Sequence, residues 1–84
     1  MANYFEQVLR IRLEECIQEN ASMEETERII ACLLDKYMED NEYSEKAIQK
    51  VSNIFLRVHD WILLKYGHHY ISNYLLNESI FISS

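Results

Sequence analysis

The side chains able to do chemistry in this sequence are three histidines, two cysteines and fourteen carboxylates. His59 falls within a long apolar segment, and His68 and His69 are adjacent behind the chain's single glycine, Gly67. Zinc is held by ligands three or four apart on a helix, or by cysteine pairs at fixed spacing. Adjacent histidines after a helix stop diverge, and Cys16 and Cys32 have no Cys-x-x-Cys partner. A set made from Cys16, Cys32, His68 and His69 is arithmetically possible and would make a metal- or redox-dependent sensor. The expectation is nevertheless no metal and no cofactor. His68 and His69 are expected beside the carboxyl end of the preceding helix, where a donor or positive side chain is favoured. Cys16 and Cys32 each lie on an apolar helical face and are expected as two buried free thiols.

Hydrolytic and transfer chemistry needs a nucleophile, a base and a cradle for the developing charge, all held in a pocket. One glycine cannot build a phosphate loop. Gly-x-Ser-x-Gly, His-Glu-x-x-His and Gly-x-Gly-x-x-Gly are all absent from the sequence. The pairs Glu14–Glu15 and Glu24–Glu25 are neighbours on exposed helix faces, which makes them solvated charge rather than an acid–base pair. No enzyme, and no small-molecule substrate, is expected.

Charge is the next signal. The net is −6 over 84 residues, unevenly placed. Met1 to Glu45 carries twelve acidic and four basic residues, and Lys46 to Ser84 carries two and four. Glu14, Glu15, Glu19, Glu24, Glu25 and Glu27 crowd into fourteen positions without a basic residue among them. Direct nucleic-acid binding is disfavoured, since phosphates are neutralised by basic stripes. An acidic surface of this kind either solubilises the fold or docks on a basic partner as a phosphate mimic does.

These residues are positioned by a helical frame. With no proline and 49% hydrophobic residues, the composition predicts an all-α fold. The stretch Ser44 to Gly67 is the organising element, a long central helix over about 45–66. Ser44 is a good N-cap, and Gly67 suits a left-handed helix end. Ile48, Val51, Phe55, Val58 and Ile62 recur at helical steps, while Ile54, Leu56, Trp61, Leu63 and Leu64 add apolar surface on other faces. A first helix is expected from about Tyr4 to Glu19, with Asn3 and Glu6 at capping-box spacing and Phe5, Val8, Leu9, Leu13, Cys16 and Ile17 as its stripe. A second begins at Ser22, whose capping box closes with Glu25, and stops at Asp40 and Asn41. Its stripe is Met23, Ile30, Leu33, Leu34 and Tyr37. Both links are short, so the first three helices are expected as antiparallel neighbours. After Gly67 a short fourth helix should end near Asn77, followed by an apolar tail, Ser79 to Ser84, that must dock on something.

The opening MANYFEQVLRIR lacks a signal peptide's apolar core, and no run approaches the ~20 apolar residues of a membrane span. A soluble, cytoplasmic chain without membrane contact is expected. One domain over 1–84 follows from length. A chain this short buries only roughly 60–65% of its unfolded surface, which makes an isolated monomer marginal. Ten aromatic residues are more than so small a fold hides. Ile54, Trp61, Leu64, Tyr70, Tyr74, Ile80 and Phe81 are therefore the expected interface anchors.

The expected fold is a small bundle of three main helices, a short fourth helix and a docking C-terminal tail. The expected function is a non-enzymatic protein–protein interaction module, a small regulator or adaptor acting as a homodimer. The alternative is an acidic inhibitor or DNA-mimic protein of phage or plasmid type, working through Glu14, Glu15, Glu19, Glu24, Glu25 and Glu27.

Overall fold

The computed structural model describes residues 4–83, with side chains placed for residues 4–78. Those residues form four helices and, among them, no strand: α1 (Tyr4–Gln18), α2 (Met23–Asp40), α3 (Glu45–Tyr66) and α4 (Tyr70–Ser83). No helix among the described residues is long and apolar enough to cross a membrane.

The local signals act where the residue types place them. Ser22 Oγ accepts from the Glu25 N–H at 3.1 Å, and Ser44 Oγ accepts from the Ala47 N–H at 3.2 Å. Each satisfies one of the unpaired donors in a first turn. Helices α1 and α2 both end in a Schellman motif. The Ala21 N–H reaches the Cys16 carbonyl at 2.9 Å, and the Tyr43 N–H reaches the Met38 carbonyl at 2.8 Å. The left-handed position that this motif requires is taken by Asn20 (φ 55°) in α1 and by Glu42 (φ 57°) in α2. Glutamate is a costly occupant there, because its Cβ crowds the carbonyl. Gly67 departs from the expected left-handed end. Its φ is 78° but its ψ is −161°, a region open essentially to glycine alone.

The bundle is not a simple succession of neighbours. The closest pairs are α3 with α4 and α1 with α2, followed by α1 with α3 and α2 with α4. The order around the core is therefore α1, α2, α4, α3. Helices α2 and α3, expected as neighbours, face each other across the diagonal. The tight turn at Glu42 and Tyr43, both at positive φ, carries the chain over. The physical reason lies in α3. Its buried residues Ala47, Val51, Ser52, Ile54, Phe55, Val58 and Ile62 occupy more than one face, so it is flanked on both sides, by α1 and by α4.

The core collects Leu9 and Leu13 of α1, Ile30 of α2, Val51, Ile54, Phe55, Val58 and Ile62 of α3, and Ile71 and Leu75 of α4. Thr26 and Ser72 are also interior, and both are satisfied locally. Thr26 Oγ1 donates to the Ser22 carbonyl, and Ser72 Oγ donates to the His69 carbonyl at 2.7 Å. Helix α4 continues past Asn77 to Ser83, because no glycine or proline in NESIFIS breaks it. The separate tail expected from Ser79 is thus helical up to Ser83. The side chains of Ile80 and Phe81 lie outside the described residues, as does the proposed cap Asn3.

Candidate interaction surface

Helix α1 is held to α3 by a ladder of long side chains. Glu6 accepts from Arg57 at 2.7 Å and from Arg10 at 2.8 Å. The Arg10 guanidinium lies 5.2 Å from the centre of the Trp61 ring, close enough for a cation–π contact. Glu14 accepts from Lys65 and, at 2.5 Å, from the Tyr66 hydroxyl. Successive rungs, 6 to 57, 10 to 61 and 14 to 65, keep one offset, so α1 and α3 run parallel.

Several expected anchors are consumed by this framework. Ile54 is 1% exposed within one copy, which removes it from the surface: it faces the core rather than solvent. Trp61 is half-buried between Arg10 and Lys65, edge-on to Tyr66 at 6.4 Å. Tyr70 donates its hydroxyl to the Ala21 carbonyl, tying α4 to the α1–α2 turn, and yet stays exposed. Tyr74 packs against the core, and burial, with Glu78 and Glu27 near it, pushes its hydroxyl pKa upward. Leu64 stands 90% exposed.

The acidic residues divide in the same way. Glu14 is not free solvated charge, since Lys65 and Tyr66 hold its carboxyl below the ordinary range. Glu15 lies 3.9 Å from Arg12. Glu19, Glu24, Glu25 and Glu27 stay exposed around the α1–α2 turn.

The histidines and cysteines do not gather. Among the described residues no three His, Cys, Asp or Glu side chains come together as a metal site requires. His69 belongs to α4 rather than to the end of α3: its Nδ1 accepts from the Ile71 N–H at 3.1 Å, and its carbonyl accepts from Ser72 and Asn73. It serves as an N-cap. Cys16 is buried, but Cys32 is exposed, on the solvent side of α2 away from Ile30. The expectation of two buried thiols fails for Cys32 because α2 is diagonal to α3 and keeps a wider face in solvent.

Sequence reasoning missed the seam between α1 and α2. Tyr4 is 80% and Ile11 is 60% exposed, one heptad apart on α1. An open groove of about 160 Å³ runs between the amino-terminal part of α1 and α2, lined by Tyr4, Phe5, Val8, Leu33, Lys36, Tyr37 and Asp40. Phe5 and Tyr37 floor it with ring centres 4.7 Å apart. The signal was present as Tyr4, Val8 and Ile11, a second apolar stripe beside the Phe5–Leu9–Leu13 face. The pull of the stronger face hid it.

No protein-family model matches the chain, and neither a curated protein nor a solved structure is found to match it.

Proposed function

We propose that this protein is a non-enzymatic protein–protein interaction module, a small regulator or adaptor that works as a dimer. The observation that supports this reading is the α1–α2 seam. It sets Tyr4 in solvent beside an apolar groove, with Ile11 exposed further along α1, on helices already fastened by ion pairs and core packing. A large apolar side chain held in water on a rigid element loses little conformational entropy on docking and gains its transfer free energy. Interface cores are built from such anchors, tyrosine prominent among them.

Sedimentation equilibrium from low micromolar to near-millimolar concentration tests the reading. A mass rising towards two copies is expected. A single-copy mass across that range, with no shift on adding a lysate fraction from the host, overturns it.

A further inference from the structure

We propose that two copies exchange their α1–α2 hairpins about the link between α2 and α3, so that the hairpin of each docks on α3 and α4 of the other. This rests on the dimer in the reading above and specifies how it forms.

The closest helix pairs are α1 with α2 and α3 with α4, so the bundle is two hairpins joined in sequence by residues 41–44. The three links turn differently. The α1–α2 link places Asn20 in the left-handed region, and the α3–α4 link places Gly67 at positive φ. Both residue types tolerate it. The α2–α3 link instead sets two other residues there in succession, Glu42 at φ 57° and Tyr43 at φ 53°. Each is strained, because its Cβ crowds a neighbouring carbonyl, and bulky Tyr43 is a clear outlier. Residues 39–46 are all exposed, so the docking of the hairpins on either side imposes the strain, and packing around the link does not. No glycine or proline lies between Met23 and Tyr66. The opened link therefore continues as helix, and the Glu42, Tyr43 and Ser44 N–H groups, now bonded to Glu39, Met38 and Asn41, take ordinary helical partners.

Exchange re-forms the contacts that a closed copy makes between its own hairpins. Glu6 meets Arg57, Arg10 meets Trp61, Glu14 meets Lys65 and Tyr66, and Tyr70 meets the Ala21 carbonyl, the two members of each pair drawn from different copies. The balance between closed and exchanged forms then turns on the link, on association entropy and on the repulsion between two copies of net −6. Like net charge opposes the dimer, but the exchanged contact itself is complementary. The front half, with twelve acidic and four basic residues, docks on a rear half with two and four. Exposed Tyr4 and Ile11 take no part and stay free for another protein.

Two measurements test this. In the first, the chain is refolded from urea at low micromolar and near-millimolar concentration and then sedimented. The dimer should grow with concentration. The double variant Glu42→Gly, Tyr43→Gly relaxes the closed turn and should weaken the dimer at least about tenfold. Tyr43→Val, β-branched at positive φ, should strengthen it by a similar factor. Circular dichroism shows that each variant folds. In the second, Glu6→Arg and Arg57→Glu chains are refolded together and weighed by native mass spectrometry. Each variant alone sets like charges face to face, whereas an exchanged mixed dimer pairs opposite charges at both contacts. Mixed dimers should outnumber like dimers at least about tenfold. Random pairing in the mixture, or a dimer that neither link variant moves, overturns the exchange and leaves a side-by-side dimer standing. A chain that stays single at every concentration overturns the exchange and the dimer with it.

Discussion

Glu6 on α1 and Arg57 on α3 meet at 2.7 Å, fifty-one residues apart in sequence, and the same offset returns at Arg10 with Trp61 and at Glu14 with Lys65. One repeated offset between two parallel helices fixes their axial register. Two of its rungs are ionic and half-exposed, so they specify the register more than they stabilise the bundle.

The acid side of the stability curve should report Glu6. The hydrogen bond from Arg57 is the largest cause holding its carboxyl below the ordinary 4.5, against partial desolvation and with help from Arg10. A depressed folded value means stabilisation that is complete above the unfolded pKa and lost as pH falls through the folded one. Glu6→Gln should cost about 1 kcal/mol at neutral pH, and the variant's midpoint should fall less steeply below about pH 4.5. Urea unfolding from pH 7 down to pH 3 checks both.

The alkaline side should report Tyr66. Its hydroxyl donates to Glu14, and that bond above all raises its pKa over the ordinary 10.0. A raised folded value gives stabilisation that is present below the unfolded pKa and lost as pH rises through the folded one. Ultraviolet titration of tyrosinate should show two late-ionising tyrosines, Tyr66 and Tyr74, and Glu14→Gln should return Tyr66 alone towards the ordinary value. Stability of Tyr66→Phe should vary less with pH above 10.

Two backbone substitutions should move stability in opposite directions. Glu42→Gly relieves a left-handed glutamate and should add about 0.5–1 kcal/mol. At this chain length that raises Tm by roughly 2–8 °C. Gly67→Ala meets open space, with no atom within 4 Å of an added Cβ, yet φ 78° strains it. A loss of about 1–3 kcal/mol is expected from backbone conformation alone. Thermal unfolding followed by circular dichroism measures both.

The two cysteines should separate cleanly. Cys32 is exposed and should react with a thiol reagent in the native protein, whereas Cys16, 3% exposed, should react only as the chain unfolds. Counting thiols first without and then with denaturant gives one and then two. Two native thiols would mean that α1 opens locally at its carboxyl end.

Helix identity and most boundaries were legible because they depend on neighbours in sequence. Ser22 and Ser44 cap the helices that follow them, and Val51, Phe55, Val58 and Ile62 point to one interior, since a helix's periodicity declares its buried face. The end of α4 was misread: the helix is expected to stop near Asn77, yet with no glycine or proline after it the helix runs on to Ser83. Which helices touch was not legible. The expectation that α2 and α3 are neighbours failed because a four-residue connection allows either an adjacent or a diagonal return, and only the competition of α1 and α4 for the apolar faces of α3 decides between them. The same competition determines which apolar residues remain outside. Ile54 and Ile11 are chemically the same side chain, and Ile54 is enclosed while Ile11 stands in water. Sequence alone set the existence of four helices, the Ser22 and Ser44 caps and the main apolar stripes, because those are local properties. The diagonal pairing, the α1–α3 register and the exposed α1–α2 seam arise from packing between distant segments, where burial is shared out among helices and no single stretch of chain contains the answer.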